Sequence, residues 1–197
     1  MPVEITQAAP DRVPVLASLL GRAFVDEPMM RWPLGEHGDL AERYRLSFLY
    51  FLEGLVQFGL LWEAEPALGA TVWIPSDQAG AWGEAQMGDA RIVALAADEG
   101  RYAAFWEWIE GKLPDEPVWH LDTIGVAPNA QGVGIGAALM EHGLARARAE
   151  GASVFLETGT ARNVPWYERF GFRTVEDADA PDGGPHIWFM RWDPDEL

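Results

Sequence analysis

The 197-residue chain contains no cysteine, which excludes a disulfide framework, a zinc ribbon and a thiol nucleophile. A chain without cysteine is compatible with a reducing compartment. It also lacks an apolar run of the roughly 18 residues that a membrane span needs. Residues 1–5 do not show the basic segment followed by an apolar run that marks a secretory signal. We therefore expect a cytoplasmic protein without a membrane partner.

Positive charge is scarce as well. The chain has 14 lysine and arginine residues against 31 aspartate and glutamate residues, and Lys112 is its one lysine. Because phosphate contacts dominate nucleic-acid affinity, a net charge of −17 argues against DNA, RNA and anionic membranes as partners. The same charge attracts cationic small molecules. His37, His142 and His186 fit no metal-ligand spacing, so we expect no metal.

The composition is that of a globular protein, with 49% apolar and 23% charged residues. Its length predicts a single domain over residues 1–197. Asp11 has the character of an N-cap for a first helix, and a second helix is predicted over about residues 39–58, ended by Gly59. Two strands of a hairpin follow, near residues 60–64 and 70–74. Residues 76–117 are predicted to form a helical insert.

The last third alternates buried strands with helices. The predicted order is a strand (118–126), a glycine-rich loop (131–136), a helix to Glu150, a strand (153–158), a short helix (163–170) and two closing strands (172–175 and 186–192). The apolar stripe predicted for the long helix consists of Val133, Ala137, Met140, Leu144 and Ala147.

A strand, a glycine-rich loop and a helix together form a layout that binds phosphate, because glycines let backbone N–H groups approach the anion. A P-loop is excluded, since alanines and not Lys-Ser/Thr follow Gly136. Residues 132–137 do satisfy the dinucleotide pattern G-x-G-x-x-A, with Glu157 in a ribose-binding position. The five residues before Gly132 and the short chain after it argue against that alternative.

Residues 131–136 (QGVGIG) also resemble the Gln/Arg-x-x-Gly-x-Gly/Ala motif of the GNAT (Gcn5-related) N-acetyltransferases. Residues 121–128 (LDTIGVAP) resemble that family's fourth strand, and residues 163–172 (NVPWYERFGF) resemble its Asn…Tyr…Gly-Phe signature. The resemblance extends from about Trp119 to Val175. Within the family, residues 155–158 and 162–169 look closest to puromycin N-acetyltransferase and its relatives.

The resemblance implies an α/β GNAT fold, with a mixed central sheet flanked by helices and splayed fourth and fifth strands. It implies acetyl-CoA as acyl donor, bound between those strands, with no metal. The residues that match the family's cofactor site are Ile124, Gly125, Val126, Gln131, Gly132, Val133, Gly134, Ile135, Gly136, Ala137 and Asn163.

The resemblance also makes Tyr167 the candidate general acid. A phenol has a reference pKa of about 10, so it is protonated at neutral pH and can donate a proton to the departing thiolate. The acceptor amine needs a base, and Asp122, Glu157 and His120 are the three candidates. His120 and Asp122 are expected to share one face of their strand, because alternate side chains point the same way.

The insert is expected to line the acceptor pocket together with the loop after the first helix. Aromatic and acidic side chains suit an aromatic or cationic amine. The candidate acceptor residues are Glu27, Trp32, Trp82 and Trp106. Packing or a dimer surface is the alternative role for them.

These observations lead to one main hypothesis, an acetyl-CoA-dependent N-acetyltransferase that acts directly on the primary amine of a small molecule. A peptide or protein N-acetyltransferase, an acyl-CoA-binding protein without turnover and a nicotinamide-dinucleotide enzyme are the alternatives. A homodimer is the default expectation for the oligomeric state.

Overall fold

The fold was analysed in a computed structural model that describes residues 3–80 and 89–194. Seven strands form one sheet in the order β1-β2-β3-β4-β5-β7-β6. The strands are β1 (Ile5–Gln7), β2 (Leu61–Ala64), β3 (Gly69–Ile74), β4 (Trp119–Val126), β5 (Val154–Thr158), β6 (Arg173–Asp179) and β7 (His186–Trp192). Strands β4 and β5 run parallel, and all other neighbours run antiparallel. The expected mixed α/β sheet is confirmed.

The helices in the described residues are α1 (Val13–Ala23), α2 (Pro28–Leu34), α3 (Leu40–Leu55), α4 (Ala90–Val93), α5 (Glu99–Glu110), α6 (Ile135–Ala149) and α7 (Val164–Glu168). Helices α1, α3 and α5 bury their apolar side chains against one sheet face, with Val72, Phe155 and Phe189. Helices α6 and α7 cover the other face, where Trp73 and Trp192 are buried. The sheet is thus the middle layer of three.

The parallel pair β4–β5 is short. Its register joins Trp119 to Val154 and His120 to Phe155, and the pairing ends there. Beyond this point β4 stays paired with β3, while β5 stays paired with β7. The two strands therefore diverge, and a gap opens in the middle of the sheet between residues 121–126 and 156–158.

A bulge interrupts the pairing of β4 with β3. Val72 pairs with Thr123, but the next residue, Trp73, pairs with Leu121, so that Asp122 is the extra residue on β4. A bulge of this kind bends the strand and re-aims a side chain. Asp122 lies at the level where β4 leaves β5, and the bulge therefore contributes to the shape of the gap.

Some local predictions were wrong. Asp11 does not cap α1, because residues 10–12 form a 3₁₀ turn and no side chain caps the helix. Val133 does not join the apolar stripe of α6: it precedes the helix and is 72% exposed. The buried positions of α6 are Ile135, Leu139, Met140, Gly143, Leu144 and Ala147.

Other local predictions were confirmed. The second predicted helix is present as α3. It is capped by Asp39, which accepts a hydrogen bond from the backbone N–H of Glu42, although no cap was predicted there. Gly59 follows with φ +72°, the left-handed conformation that ends the helical segment. The insert between β3 and β4 is helical in its described part, where it forms α4 and α5. Trp82 lies outside the described residues.

Every helix within residues 3–80 and 89–194 is too short or too polar to cross a membrane. The same part of the chain contains no group of three or more histidine, aspartate or glutamate side chains that could hold a metal ion.

The contact between α6 and β3 generates a stability prediction. A Cβ at Gly143 would lie 1.9 Å from the indole of Trp73, which is 1% exposed. Gly143→Ala should therefore destabilise the protein by about 3 kcal/mol or more, because overpacking outweighs the helix-propensity gain of about 1 kcal/mol. Gly111→Ala, at the end of α5, meets only ordinary contacts of 3.4 Å and 3.6 Å and is the matched control. Urea unfolding measures both, and equal stability of the two variants would contradict the prediction.

Candidate active site

A cleft with a volume of about 760 Å³ occupies the gap between β4 and β5. Residues from α1, α2, α3, α5 and α7 complete its walls, together with the loop before α6 and the first turn of α6. The side chains and backbone that line it are Ala23, Phe24, Glu27, Met29, Met30, Ser47, Phe48, Phe51, Trp106, Leu121, Asp122, Thr123, Ile124, Gly125, Val126, Ala130, Gln131, Gly132, Gly134, Ile135, Gly136, Ala137, Glu157, Thr158, Arg162, Asn163, Trp166, Tyr167 and Arg169.

One end of the cleft is formed by the glycine-rich loop and the start of α6. Gly132 and Gly134 have φ of +81° and +93°, and a Cβ at either position would meet nothing within 4 Å. Gly134 is the N-cap of α6 and offers no side-chain hydrogen bond. The first amides of α6 therefore have no acceptor within the helix and are available to an anion. Of the predicted cofactor residues, only Val133 does not line the cleft.

Two arginines that were not predicted as site residues line the cleft. Arg162 precedes Asn163, and Arg169 follows α7. Both belong to residues 162–169, which resemble the puromycin N-acetyltransferases, but the sequence assigned neither arginine a role. Their guanidinium groups give the cleft local positive charge in a protein of net charge −17. Asn163 donates from Nδ2 to Oγ1 of Thr158 at 3.3 Å, which links α7 to the end of β5.

Tyr167 lies at the gap between the strands, and 7% of its surface is exposed. Its ring packs edge-on against Trp166 and Phe172, with centroid distances of 5.0 Å and 5.9 Å. Burial raises the pKa of its phenol far above the ordinary value, and the carboxylates of Glu27 and Glu157 raise this pKa further. The phenol is consequently protonated throughout the physiological range and is able to donate a proton.

The three candidate bases occupy different positions. Glu157 and Asp122 line the cleft, whereas His120 does not. His120 lies behind Glu157, with its Nε2 at 2.9 Å from Oε2 of the carboxylate. Both side chains are buried, with 8% and 5% of their surfaces exposed. Burial lowers the pKa of His120, but the adjacent Glu157 carboxylate outweighs it, and the net pKa is raised.

Asp122 is placed differently from Glu157. One of its carboxylate oxygens accepts a hydrogen bond from the hydroxyl of Thr123 at 2.6 Å. Burial raises the pKa of the nearby Tyr102 phenol, and the Asp122 charge adds to that effect. Asp122 thus belongs partly to the contact between β4 and α5, while Glu157 faces the cleft and His120.

The candidate acceptor residues differ in whether they line the cleft. Glu27 and Trp106 line the cleft, but Trp32 does not: it lies under the guanidinium of Arg101, at 5.1 Å. Oε2 of Glu27 accepts a hydrogen bond from the Thr160 hydroxyl at 2.8 Å. Burial raises the pKa of Glu27, and this hydrogen bond lowers it in part.

An apolar wall surrounds these acidic groups. Its members are Phe24, Met29, Met30, Phe48 and Phe51. Met29 and Met30 belong to the stretch after the first helix that was expected to line the acceptor pocket, but this stretch forms the helix α2 and not a loop. Phe24, at the end of α1, and Phe48 and Phe51 of α3 could not be distinguished in the sequence from residues that pack entirely inside the protein.

The profile of the GNAT acetyltransferase family matches residues 59–172, which is more than half of the chain. The chain belongs to the GNAT acetyltransferase family. The match includes both diverging strands, the glycine-rich loop and Tyr167. The resemblance seen in the sequence is confirmed at the level of this family.

Solved structures agree with the GNAT assignment. A protein from Corynebacterium glutamicum described as histone acetyltransferase HPA2 and related acetyltransferase superposes with a TM-score of 0.71 at 24% identity, over 100% of this chain and 99% of that one. Arylalkylamine N-acetyltransferase 2 from Aedes aegypti superposes with 0.64 at 12% identity, over 99% and 100%. An agmatine N-acetyltransferase gives 0.60 at 16%, over 97% and 99%. At these identities the similarity shows a shared fold.

The contact between His120 and Glu157 generates a titration prediction. Glu157→Gln removes the carboxylate charge but keeps a hydrogen-bonding side chain of the same size. Because burial then dominates, the pKa of His120 should move from above its usual value of about 6.5 to below it. NMR titration of the histidine imidazoles measures the change, and the resonance of the distant His37 is the internal control. An unchanged His120 pKa would show that the ion pair does not form in solution.

Proposed function

We propose that this GNAT protein transfers an acetyl group from acetyl-CoA to the primary amine of a small molecule, in one step within a ternary complex. The observation that carries the proposal is the single cleft at the strand gap. It combines free backbone amides at one end with a buried carboxylate and a buried phenol in the middle. An anion-binding end and a proton-transfer centre in one cleft are what this reaction requires.

The residues present fit acetyl-CoA. The amides at the start of α6 and the guanidinium groups of Arg162 and Arg169 would hold the pyrophosphate. The edge of β4 that lines the cleft, residues 121–126, would run along the pantetheine arm. Bound there, acetyl-CoA supplies an activated acetyl thioester. Asn163 would hold the arm near α7.

In the proposed reaction Glu157 accepts one proton from the substrate ammonium, which leaves the neutral amine as nucleophile. Tyr167 donates its phenolic proton to the departing sulfur and regains one from the nitrogen that has formed the amide bond. The overall change converts one ammonium and one thioester into one amide, one thiol and one released proton. Glu157 is favoured as base over Asp122 because it is supported by His120.

The acceptor side favours an amine that carries an apolar or aromatic group. The aromatic and methionine side chains of α1–α3 and Trp106 offer apolar surface, while Glu27, Asp122 and Glu157 attract the ammonium. Two of the relatives that share the fold are named as acting on arylalkylamines and on agmatine. The resemblance of residues 155–158 and 162–169 to the puromycin enzymes adds puromycin to the candidates.

The proposed activity is tested with a panel of amines. Wild-type protein with acetyl-CoA should acetylate phenethylamine or puromycin more efficiently than agmatine, as measured by thiol release. Tyr167→Phe removes the proton donor and keeps the ring, so kcat should fall about 10²-fold or more while the Kd for acetyl-CoA changes little. Mass spectrometry of the product identifies the acetylated nitrogen.

The controls separate the alternatives. Binding of acetyl-CoA without acetylation of any amine, including a peptide N-terminus, would favour an acyl-CoA-binding protein without turnover. A thermal shift with NADH and none with acetyl-CoA would overturn the proposal in favour of a dinucleotide site. Full activity of Tyr167→Phe would remove Tyr167 from the role of general acid.

The anion-binding end generates a separate binding prediction. Gly132 is exposed, has φ +81° and has no neighbour within 4 Å of a Cβ. Asp and Asn both tolerate this left-handed conformation and have the same size. Gly132→Asp should weaken CoA binding about tenfold or more relative to Gly132→Asn, because a carboxylate near the pyrophosphate costs ~1–2 kcal/mol in this partly exposed site. Calorimetric titration with CoA compares them, and equal affinities would contradict the predicted position of the phosphates.

A further inference from the structure

A second cavity, with a volume of about 320 Å³, lies beside the sheet at the start of β4. Its wall contains Ile74 from the end of β3, Val118 and His120. Its rim is formed by exposed residues, among them Ala79 and Asp115. The cavity is therefore open to water at the rim, while His120 forms part of its buried wall.

The two cavities share no residue among those that line them in the described parts of the chain. A hydrogen bond of 2.9 Å links Glu157 in the cleft to His120 in the second cavity. This pair lies next to the last rung of the β4–β5 pairing, His120 opposite Phe155. Because alternate side chains of a strand share a face, His120, Phe155 and Glu157 all lie on the sheet face that α1, α3 and α5 cover, at the level where the gap begins.

The proposed reaction releases one proton for each acetyl group transferred. This proton arrives on Glu157, whose side chain is 5% exposed, while acetyl-CoA and the amine fill the cleft in front of it. The proton must leave the pair before the next turnover, because Glu157 can accept a new one only as the carboxylate. With the front occupied by both substrates, an exit behind Glu157 would let the proton leave before the products do.

We propose that this proton leaves through the back of the site, from Glu157 to His120 and from His120 to water in the second cavity. The inference rests on the proposed function, since it takes Glu157 as the base. Glu157 gains a proton from the ammonium, passes it to Nε2 of the neutral imidazole, and returns to the carboxylate form. The imidazolium then releases the proton of Nδ1 to water, and proton exchange with water returns the imidazole to its Nδ1–H tautomer before the next turnover. His120 acts through Glu157 and is a positioning and relay residue, while Glu157 is the catalytic residue.

The charges around His120 favour a cation on this route. Asp122 on β4 and Glu157 on β5 lie on its cleft side. Glu110 at the end of α5, Asp115 and Glu116 line the second cavity, and Glu116 forms an ion pair with Arg191 of β7. An acidic surrounding of this kind stabilises an imidazolium and a departing hydronium ion relative to bulk water. The raised pKa of His120 is consistent with that environment.

The first test replaces the relay residue. The amide of His120→Gln can donate to Glu157 and keep it in place, but it cannot carry a proton. The relay predicts a fall in kcat of at least tenfold near pH 7, with the KM for acetyl-CoA unchanged and the acid limb of the pH–rate profile displaced. A kcat and a pH profile close to those of the wild type would show that His120 only orients Glu157, and would overturn the proposal.

The second test narrows the exit and leaves the cleft untouched. Ala79→Phe places a ring at the exposed rim of the second cavity, and Ala104→Phe makes the same change on an exposed position of α5 that lines neither cavity. The relay predicts that Ala79→Phe lowers kcat several-fold and raises the solvent deuterium isotope effect, whereas Ala104→Phe does neither. Equal kinetics of the two variants would show that the proton leaves through the cleft.

A third measurement does not depend on turnover. With the cleft saturated by CoA, the imidazole N–H of His120 should still exchange with deuterium in wild type and in Ala104→Phe. Exchange should be several-fold slower in Ala79→Phe, as followed by ¹⁵N NMR. Identical exchange in all three would overturn the exit route. Absence of acetyl transfer by the wild type would instead overturn the proposed function, and the exchange result would be unaffected by it.

Discussion

The site depends on the early end of hydrogen bonding between β4 and β5. After Trp119 and His120 have paired with Val154 and Phe155, each strand continues to pair with its other neighbour only. A continuous parallel pair would bury both backbone edges in a ladder and leave no space between them. Because the pairing stops, the edges of residues 121–126 and 156–158 face a cleft. Every candidate catalytic group lies along this cleft or directly behind it.

The local potential at one end of the cleft is opposite in sign to the net charge of the molecule. A net charge of −17 disfavours an anionic ligand at long range, yet the uncapped amides at the start of α6 suit an anion at one end of the cleft. Backbone amides at the start of α6 supply a short-range positive potential there, and two arginines add positive charge along the cleft. The overall negative charge remains available to attract an ammonium substrate. The two parts of the charge distribution thus suit the two substrates of the proposed reaction.

The buried ionisable groups along the gap are arranged in two layers. Tyr167 and Glu157 face the cleft, and His120 lies one hydrogen bond behind Glu157. In a buried environment a carboxylate is costly unless a partner compensates its charge, and the imidazole of His120 provides that compensation. Glu157 and Asp122 thus differ in their partners, because the carboxylate of Asp122 accepts a hydrogen bond from the Thr123 hydroxyl.

Local sequence features predicted much of the fold. The glycine-rich loop, the end of the second helical segment at Gly59 and the hairpin of β2 and β3 depend on neighbouring residues, and all three were correctly placed. The failures were also local in origin. Asp11 is a good N-cap by type, but proline at residue 10 starts a 3₁₀ turn instead. Val133 fits an apolar stripe by spacing, but the helix begins only after Gly134, so Val133 is left exposed.

The motifs around residues 131–137 and 163–172 could be read from the sequence, because they depend on short-range spacing and residue type, and they identified the family. The mixed sheet followed from the resemblance to that family. Which residues meet at the gap depends on the tertiary structure. The β4–β5 register, the bulge at Asp122 and the packing of α5 against α2 depend on contacts between residues far apart in the chain. The contact of His120 with Glu157, 37 residues apart, is of this kind. Alternation along one strand does not specify what lies opposite on the next strand, because that depends on register.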